Sequence, residues 1–314
     1  MGQRPGTVIG VGERMIELSN ERAVMFPKER ISKGDLVDYY LEVAAVMLPH
    51  LENRPLTVER FTKGIGARGF IQKNASEHYP EWIRRAEVPS RARAGEASNH
   101  VVCDEAATLV FLANQRCVTY HITPVQCDRL ELPDRLIFDF DPPDAGESSF
   151  AAVRIGALAV GELLRECGLT PFVKTSGSKG LHVVAPLDRS AHLDEVRAFG
   201  KAASELLARR DPGRFTVSMA KSERSGRVFL DYLRNGYAQT VVAPYSVRPL
   251  PGAPVSTPLT WEELEEPTLH AQTYTLRNIR ERLRQQRDPW AGMDAHAGSL
   301  DEASLNLDAI LAKG

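Results

Sequence analysis

The stretch RLIFDFD at 135–141 constrains the fold of this chain more than any other. An apolar run of this length, closed by acids and then by Pro142-Pro143, reads as a buried strand that ends at an open rim. Residues two apart in an extended strand point the same way, so Asp139 and Asp141 project together while Phe140 turns into the core. Two carboxylates held that close repel each other unless a cation lies between them or one keeps its proton. A second apolar run, RVFLDYL at 227–233, carries Asp231, and an acid inside such a run needs a partner. Three carboxylates from two strand ends suit hard divalent cations such as magnesium or manganese. On the acids alone the bland alternative stays open: Pro142-Pro143-Asp144 is also a turn with capping acids.

The surrounding pattern alternates between helix and strand periods. Residues 32–50 predict a helix with a Ser32/Asp35 capping box and apolar Leu36, Tyr40, Val43, Ala44 and Met47 at helical spacing. Strands are predicted at 55–61, 68–73 and 118–123, and a helix at 104–116. After the Asp-x-Asp strand come a helix at 150–167 ending near Gly168, strands at 172–175 and 181–187, a helix at 192–210, and strands at 215–219, 227–233 and 237–243. The Asn235-Gly236 pair predicts a hairpin joining the last two. The whole predicts a mixed α/β fold of the α+β type, with largely antiparallel sheets flanked by helices. Residues 1–292 read as one catalytic domain and 293–314 as a loose, polar C-terminal tail.

Composition narrows the class. With 43% hydrophobic residues and 25% charged, the 314-residue chain can bury a large core. It has no run of 18 apolar residues and no secretory signal at the N-terminus. The four cysteines are scattered without a Cys-x-x-Cys pair, which argues against a zinc ribbon or a disulfide framework and for a cytoplasmic protein. A formal net charge of -2 means that any grip on nucleic acid must come from local clusters. The candidates are Lys28/Arg30/Lys33, Arg84/Arg85/Arg91/Arg93, Lys221/Arg224/Arg227 and Arg277/Arg280/Arg284/Arg287, although a charge cluster is more often a solvated face.

Between two predicted strands lies TSGSKGLH at 175–182. Its glycines and serines free backbone N–H groups to face an anion, and Lys179 adds a positive charge. The Walker spacing is absent, and read alone a Gly/Ser loop is usually just a loop. His121, inside VTYHIT, is by itself more often a satisfied strand histidine than a ligand.

The order of these pieces resembles the polymerase domain of bacterial DNA ligase D, within the archaeo-eukaryotic primase superfamily. That superfamily carries an Asp-hydrophobic-Asp strand, then a Ser/His-bearing strand region, then a lone Asp after hydrophobics. Here these are FDFD (138–141), TSGSKGLH (175–182) and VFLD (228–231). LVDYYLEVAAVMLPHLENRP (36–55), FIQK (70–73), YHITP (120–124), KSERSGRVFLDY (221–232) and APYSVR (243–248) are similar as well, so the likeness runs from about Leu18 to about Trp290.

The resemblance implies a primase-polymerase core with Asp139, Asp141 and Asp231 as catalytic residues and as ligands of two manganese or magnesium ions. His121, Ser176, Lys179 and His182 would line the incoming nucleotide, with Arg60, Lys73, Arg224 and Arg248 around its phosphates and sugar. Phe70 would stack on the base or template. Asn20 and Lys33 would hold the 5′-phosphate of the downstream strand. It further implies addition of nucleotides, with ribonucleotides preferred over deoxynucleotides, at gapped or broken DNA, and end-joining or ligase proteins as partners. Two departures stand out. Arg234 replaces an expected glutamine near the sugar, and Ala23 an expected lysine for the 5′-phosphate. No ligase or nuclease module fits in the chain, and the start at Met1 suggests a standalone paralogue.

Two rivals use the same residues. A haloacid-dehalogenase-type phosphatase would enlist Asp139, Asp141, Ser176 and Lys179, but Pro143 stands where that motif wants a small or β-branched residue. A non-catalytic DNA-end-binding platform would have to bring three carboxylates up to phosphates.

Overall fold

The computed structural model describes residues 7–142 and 147–313, with the side chains at 141 and 147–149 outside that description. The expected turn at Pro143 and Asp144 therefore lies outside the described residues. The chain folds into two compact units: one holds the residues up to Ile122 with Val242–Val255 and Thr275–Glu281, the other Thr123–Val241, Ser256–Tyr274 and the residues from Arg282 onward.

The first unit is built on strands Cys117–Ile122, Pro55–Arg60, Ala97–Val102 and Arg85–Pro89, neighbours in that order, with Phe70–Gln72 also paired to Pro55–Arg60. The predicted 32–50 helix is two helices, Lys33–Glu42 and Ala44–Leu51. Ser32 caps the first through the reciprocal box with Asp35, as the spacing predicts. Val43 separates the two, at φ -85°, ψ -1°. Pro49 lies inside the second helix. Tyr39 and Tyr40 are fully buried, and their hydroxyls donate to the carbonyls of Tyr245 (2.7 Å) and Val118 (2.6 Å).

The second unit holds a six-stranded sheet in the order Phe215–Thr216, Val228–Asp231, Arg135–Asp141, Leu181–Pro186, Phe172–Thr175, Pro258–Leu259. Only the first pair runs parallel. Strand alternation divides the Arg135–Asp141 strand as expected. Leu136, Phe138 and Phe140 enter a core with Val173, Leu181, Val183 and Leu230. The helices Glu147–Glu166 and Leu193–Arg210 supply Val153, Ala157, Val160, Leu164, Val196, Phe199 and Ala203 to that core. Gly156 lets its helix approach closely, since a Cβ there would meet Phe140 at 3.3 Å. Gly168, at φ +88°, follows the helix end, where a left-handed residue is needed.

Two readings are corrected. The Asn235-Gly236 pair does not make a hairpin: Leu233–Asn235 is a 3-10 turn, and Val241–Val242 belongs to a different sheet from Val228–Asp231. Gly236 is extended at φ -102°, so the type I′ geometry that Asn-Gly usually signals does not form. The loose tail is not observed either. Met293–His296 is a 3-10 turn and Leu300–Leu311 a helix, with Leu300, Ala303 and Leu307 buried in the second unit's core. Their i, i+3, i+7 spacing is an apolar stripe, easily overlooked among the intervening polar residues.

Candidate active site

The antiparallel register of the second sheet sets four chemically active side chains in one row. Asp231 is the direct partner of Asp139, Asp139 of His182, and His182 of Lys174. Directly opposed residues share a face of the sheet. The row therefore reads Asp231, Asp139, His182, Lys174 across four strands, on the face away from Phe138 and Phe140. Asp141 lies two residues on from Asp139, opposite Phe229. The register thus brings two of the three expected acids, Asp139 and Asp231, side by side, and the third has its side chain outside the described residues.

Each carboxylate of the pair gives one oxygen to a fixed partner. Asp231 Oδ1 accepts the Leu233 N–H at 2.7 Å, and Asp139 Oδ1 lies 3.3 Å from His182 Nε2. Their other oxygens converge on a single group: Arg234 Nε is 3.2 Å from Asp139 Oδ2 and 3.5 Å from Asp231 Oδ2. Burial works to raise the Asp139 pKa, but His182, Arg234 and Lys174 outweigh it and hold the carboxyl well below its ordinary range. Burial first, and then Lys174, pull His182 down to about 4 against the opposing pull of Asp139. At neutral pH the pair is an ionised Asp139 beside a neutral imidazole. An Nε2–H tautomer lets His182 donate to the acid and leaves Nδ1, which has no hydrogen-bond partner among the described residues, as a bare lone pair.

Two facing carboxylates are the hard oxygen donors that magnesium or manganese takes. Among the described residues no three His, Cys, Asp or Glu side chains gather into a metal-ligand set. The donors that fit such an ion are Asp139 and Asp231, with the backbone of Asp141 continuing the same strand.

Lys174 is a member of the row that its sequence context does not advertise. It is 1% exposed, and its ammonium donates to Ser256 Oγ at 2.7 Å, while Ser256 Oγ donates to the Thr175 carbonyl. The available signal was a lysine at an inward position of the short FVKT strand, next to the Gly/Ser loop.

That loop is a tight connection. The Ser176 N–H donates to the Gly180 carbonyl at 2.9 Å, and Ser176 Oγ accepts the N–H groups of Ser178 (3.2 Å) and Gly180 (3.0 Å). Gly177 takes φ +67°, where a side chain is disfavoured. Ser176 is buried and Lys179 exposed, so only the lysine projects into solvent. Arg224 is buried at 9% exposure. Its guanidinium lies 4.2 Å over the Phe229 ring and donates to the carbonyls of Ser218 and Met219.

The other expected site residues lie in the first unit. Arg60 donates to Gln72 Oε1 (2.8 Å) and the Gln115 carbonyl (3.0 Å), and sits 5.6 Å over Phe70, which is 47% exposed. Lys73 is exposed, and His121 is half-buried opposite Thr57. The Arg248 N–H donates to the Pro254 carbonyl. Asn20 is exposed in a turn at φ +47°. Lys33 is 1% exposed, and its ammonium donates to Asn114 Oδ1 (2.6 Å), the Asn114 carbonyl (3.1 Å) and Ser19 Oγ (3.1 Å). All three of its protons are engaged, so contact with a phosphate requires at least one of these bonds to open.

Residues 32–290 match the family described as LigD, primase-polymerase domain. The chain is 34% identical over 271 residues to the multifunctional non-homologous end joining DNA repair protein LigD of Mycobacterium tuberculosis, covering 83% of this chain and 35% of that protein. It is 30% identical over 289 residues to the bifunctional non-homologous end joining protein LigD of Bacillus subtilis, covering 92% of this chain and 45% of that one. It thus spans less than half the length of either relative. Among solved structures it resembles the polymerase domain from Mycobacterium tuberculosis ligase D in complex with DNA, with a TM-score of 0.83 and 31% identity, over 90% of this chain and 99% of that one. Among the described residues no helix is long and apolar enough to cross a membrane.

Proposed function

The chain belongs to the LigD primase-polymerase family, and from that premise we propose that it is a DNA-repair nucleotidyltransferase. It adds nucleotides, ribonucleotides in preference, to a primer 3′ end at a gap or break. The observation that carries this reading is the register pairing of Asp139 with Asp231, which sets two carboxyl groups side by side at the end of a rigid sheet. Asp139, Asp141 and Asp231 would hold the divalent ions, and magnesium or manganese bound there would supply Lewis acidity for phosphoryl transfer.

The chain's own groups bind and orient. Lys179, projecting from the Ser176-braced loop, meets the triphosphate as a point charge. His182 holds Asp139 in place through Nε2, and Lys174 balances part of the negative charge of the row. Arg60 and Phe70 form a cation–aromatic pair suited to a base or template nucleotide. On the family resemblance, Lys73, His121, Arg224 and Arg248 would contact the nucleotide, and Asn20 and Lys33 the downstream 5′-phosphate. The phosphatase alternative loses its ground with the family match, and the non-catalytic platform differs from this reading in one measurable respect, turnover.

The test is primer extension on a gapped, 5′-phosphorylated duplex, with ribo- and deoxynucleotides compared under manganese and magnesium. The reading expects incorporation that requires a divalent ion and favours ribonucleotides. Duplex binding without incorporation under either ion would leave the platform in its place.

A further inference from the structure

Asp139 Oδ2 and Asp231 Oδ2 both lie against one N–H of one side chain, Arg234 Nε, at 3.2 and 3.5 Å. The other oxygens of the two acids point elsewhere, to His182 and to the Leu233 N–H. A cation held by Asp139 and Asp231 would compete with Arg234 for the same two carboxylates. The remaining guanidinium nitrogens of Arg234 have no partner given by the described residues, and the side chain is 35% exposed. The contact is thus positioned to neutralise the acids and weakly enough tied to be displaced.

We infer that Arg234 is an internal counter-cation of the carboxylate pair, which a divalent ion must displace before it can occupy the site. The inference rests on the reading of Asp139 and Asp231 as metal ligands. With Arg234 in place the two acids tolerate each other without metal. Loading then exchanges one cation for another. The apparent affinity for metal falls by the fraction of molecules in which Arg234 has moved aside. Arg234 is therefore a residue that sets metal affinity, and with it the ion concentration at which the protein becomes competent.

The experiment measures manganese binding to the full chain by calorimetry and by the resonance signal of the free ion, together with thermal midpoints with and without manganese. Wild type is compared with Arg234→Gln, Arg234→Lys and Asp139→Asn, and Arg234→Met replaces the glutamine should that variant not fold. The expected result is manganese binding about tenfold tighter or more in Arg234→Gln, and near-wild-type binding in the charge-preserving Arg234→Lys. Arg234→Gln should also melt below wild type without metal and recover more on adding it. A merely structural arginine would lower both midpoints equally. Equal or weaker manganese binding in Arg234→Gln, at a site that Asp139→Asn abolishes, overturns the inference and leaves the metal site standing. Manganese binding that Asp139→Asn does not change overturns the site and the inference together.

Discussion

Asn235 clamps Ile137 with both ends of its side-chain amide. The Ile137 N–H donates to Asn235 Oδ1 at 2.8 Å, and Asn235 Nδ2 donates to the Ile137 carbonyl at 2.7 Å. Nδ2 also donates to the Tyr232 carbonyl at 2.9 Å, and the side chain is fully buried. The amide fastens the Leu233–Asn235 turn to the Asp139 strand, which fixes Asp231 and Arg234 against Asp139. Asn235→Ala would strand the buried N–H and carbonyl of Ile137, while the Tyr232 carbonyl keeps the Asn235 backbone N–H. The expected loss is about 2–4 kcal/mol of stability, read from the urea midpoint. A variant within a few tenths of wild type would show that the clamp is replaceable.

The same residue explains where sequence reading stopped. Asn-Gly is a local signal for a hairpin, and nothing within the segment reveals that the asparagine amide instead pairs with a strand almost a hundred residues away. The Asp139 strand was legible because its apolar alternation and terminal acids are properties of seven consecutive residues. The capping box at Ser32 and Asp35 was legible for the same reason. Lys174 was not, because a lysine in a four-residue strand looks solvated until the register places it beside His182. The Leu300–Leu311 helix was missed because its three buried residues are diluted by Asp301, Glu302 and Asp308. The Thr7–Val11/Arg14–Leu18 hairpin, turned at Gly12 with φ +58°, was passed over because only Val11, Ile16 and Leu18 of its strands are buried.

Asp139→Asn and Asp231→Asn keep side-chain volume and remove the charge a divalent ion requires. Nucleotide addition should fall about a hundredfold or more in either variant. The fold should persist, because removing one of two facing negative charges relieves repulsion as well as losing the contact with Arg234. Single-turnover extension and a thermal melt on the same preparation decide the matter. Near-normal extension in either variant would remove that acid from the catalytic set.

The loop at 176–180 depends on one hydroxyl. Ser176→Ala leaves the N–H groups of Ser178 and Gly180 without their acceptor and loosens the segment that presents Lys179. The expected effect is a nucleotide KM raised about five- to tenfold with a smaller change in kcat, the pattern of lost binding rather than lost chemistry. Gly177→Ala should act in the same direction and also cost about 1 kcal/mol of stability, because φ +67° disfavours a Cβ. An unchanged KM in Ser176→Ala would disconnect the loop from the nucleotide.

Lys33 gives the structure a pH signature at alkaline pH. Burial, aided by Arg116 and opposed by Glu21, lowers its ammonium to about 8 from the ordinary 10.5. The direction follows from linkage. Between those two values the unfolded chain holds a proton on this lysine that the folded chain has released. The unfolded state therefore binds more protons, and stability rises with pH across the window. Below about 8 the cost of burying the charge is fully present, offset by the three hydrogen bonds to Asn114 and Ser19. Above 10.5 it is gone. Other groups titrate in the same range, so the comparison is with Lys33→Met, which retains the stem and lacks the charge. The stability difference between wild type and Lys33→Met, from urea midpoints at intervals from pH 7 to 10.5, should move in favour of wild type as pH rises. A difference that stays flat would place the folded-state pKa at its ordinary value.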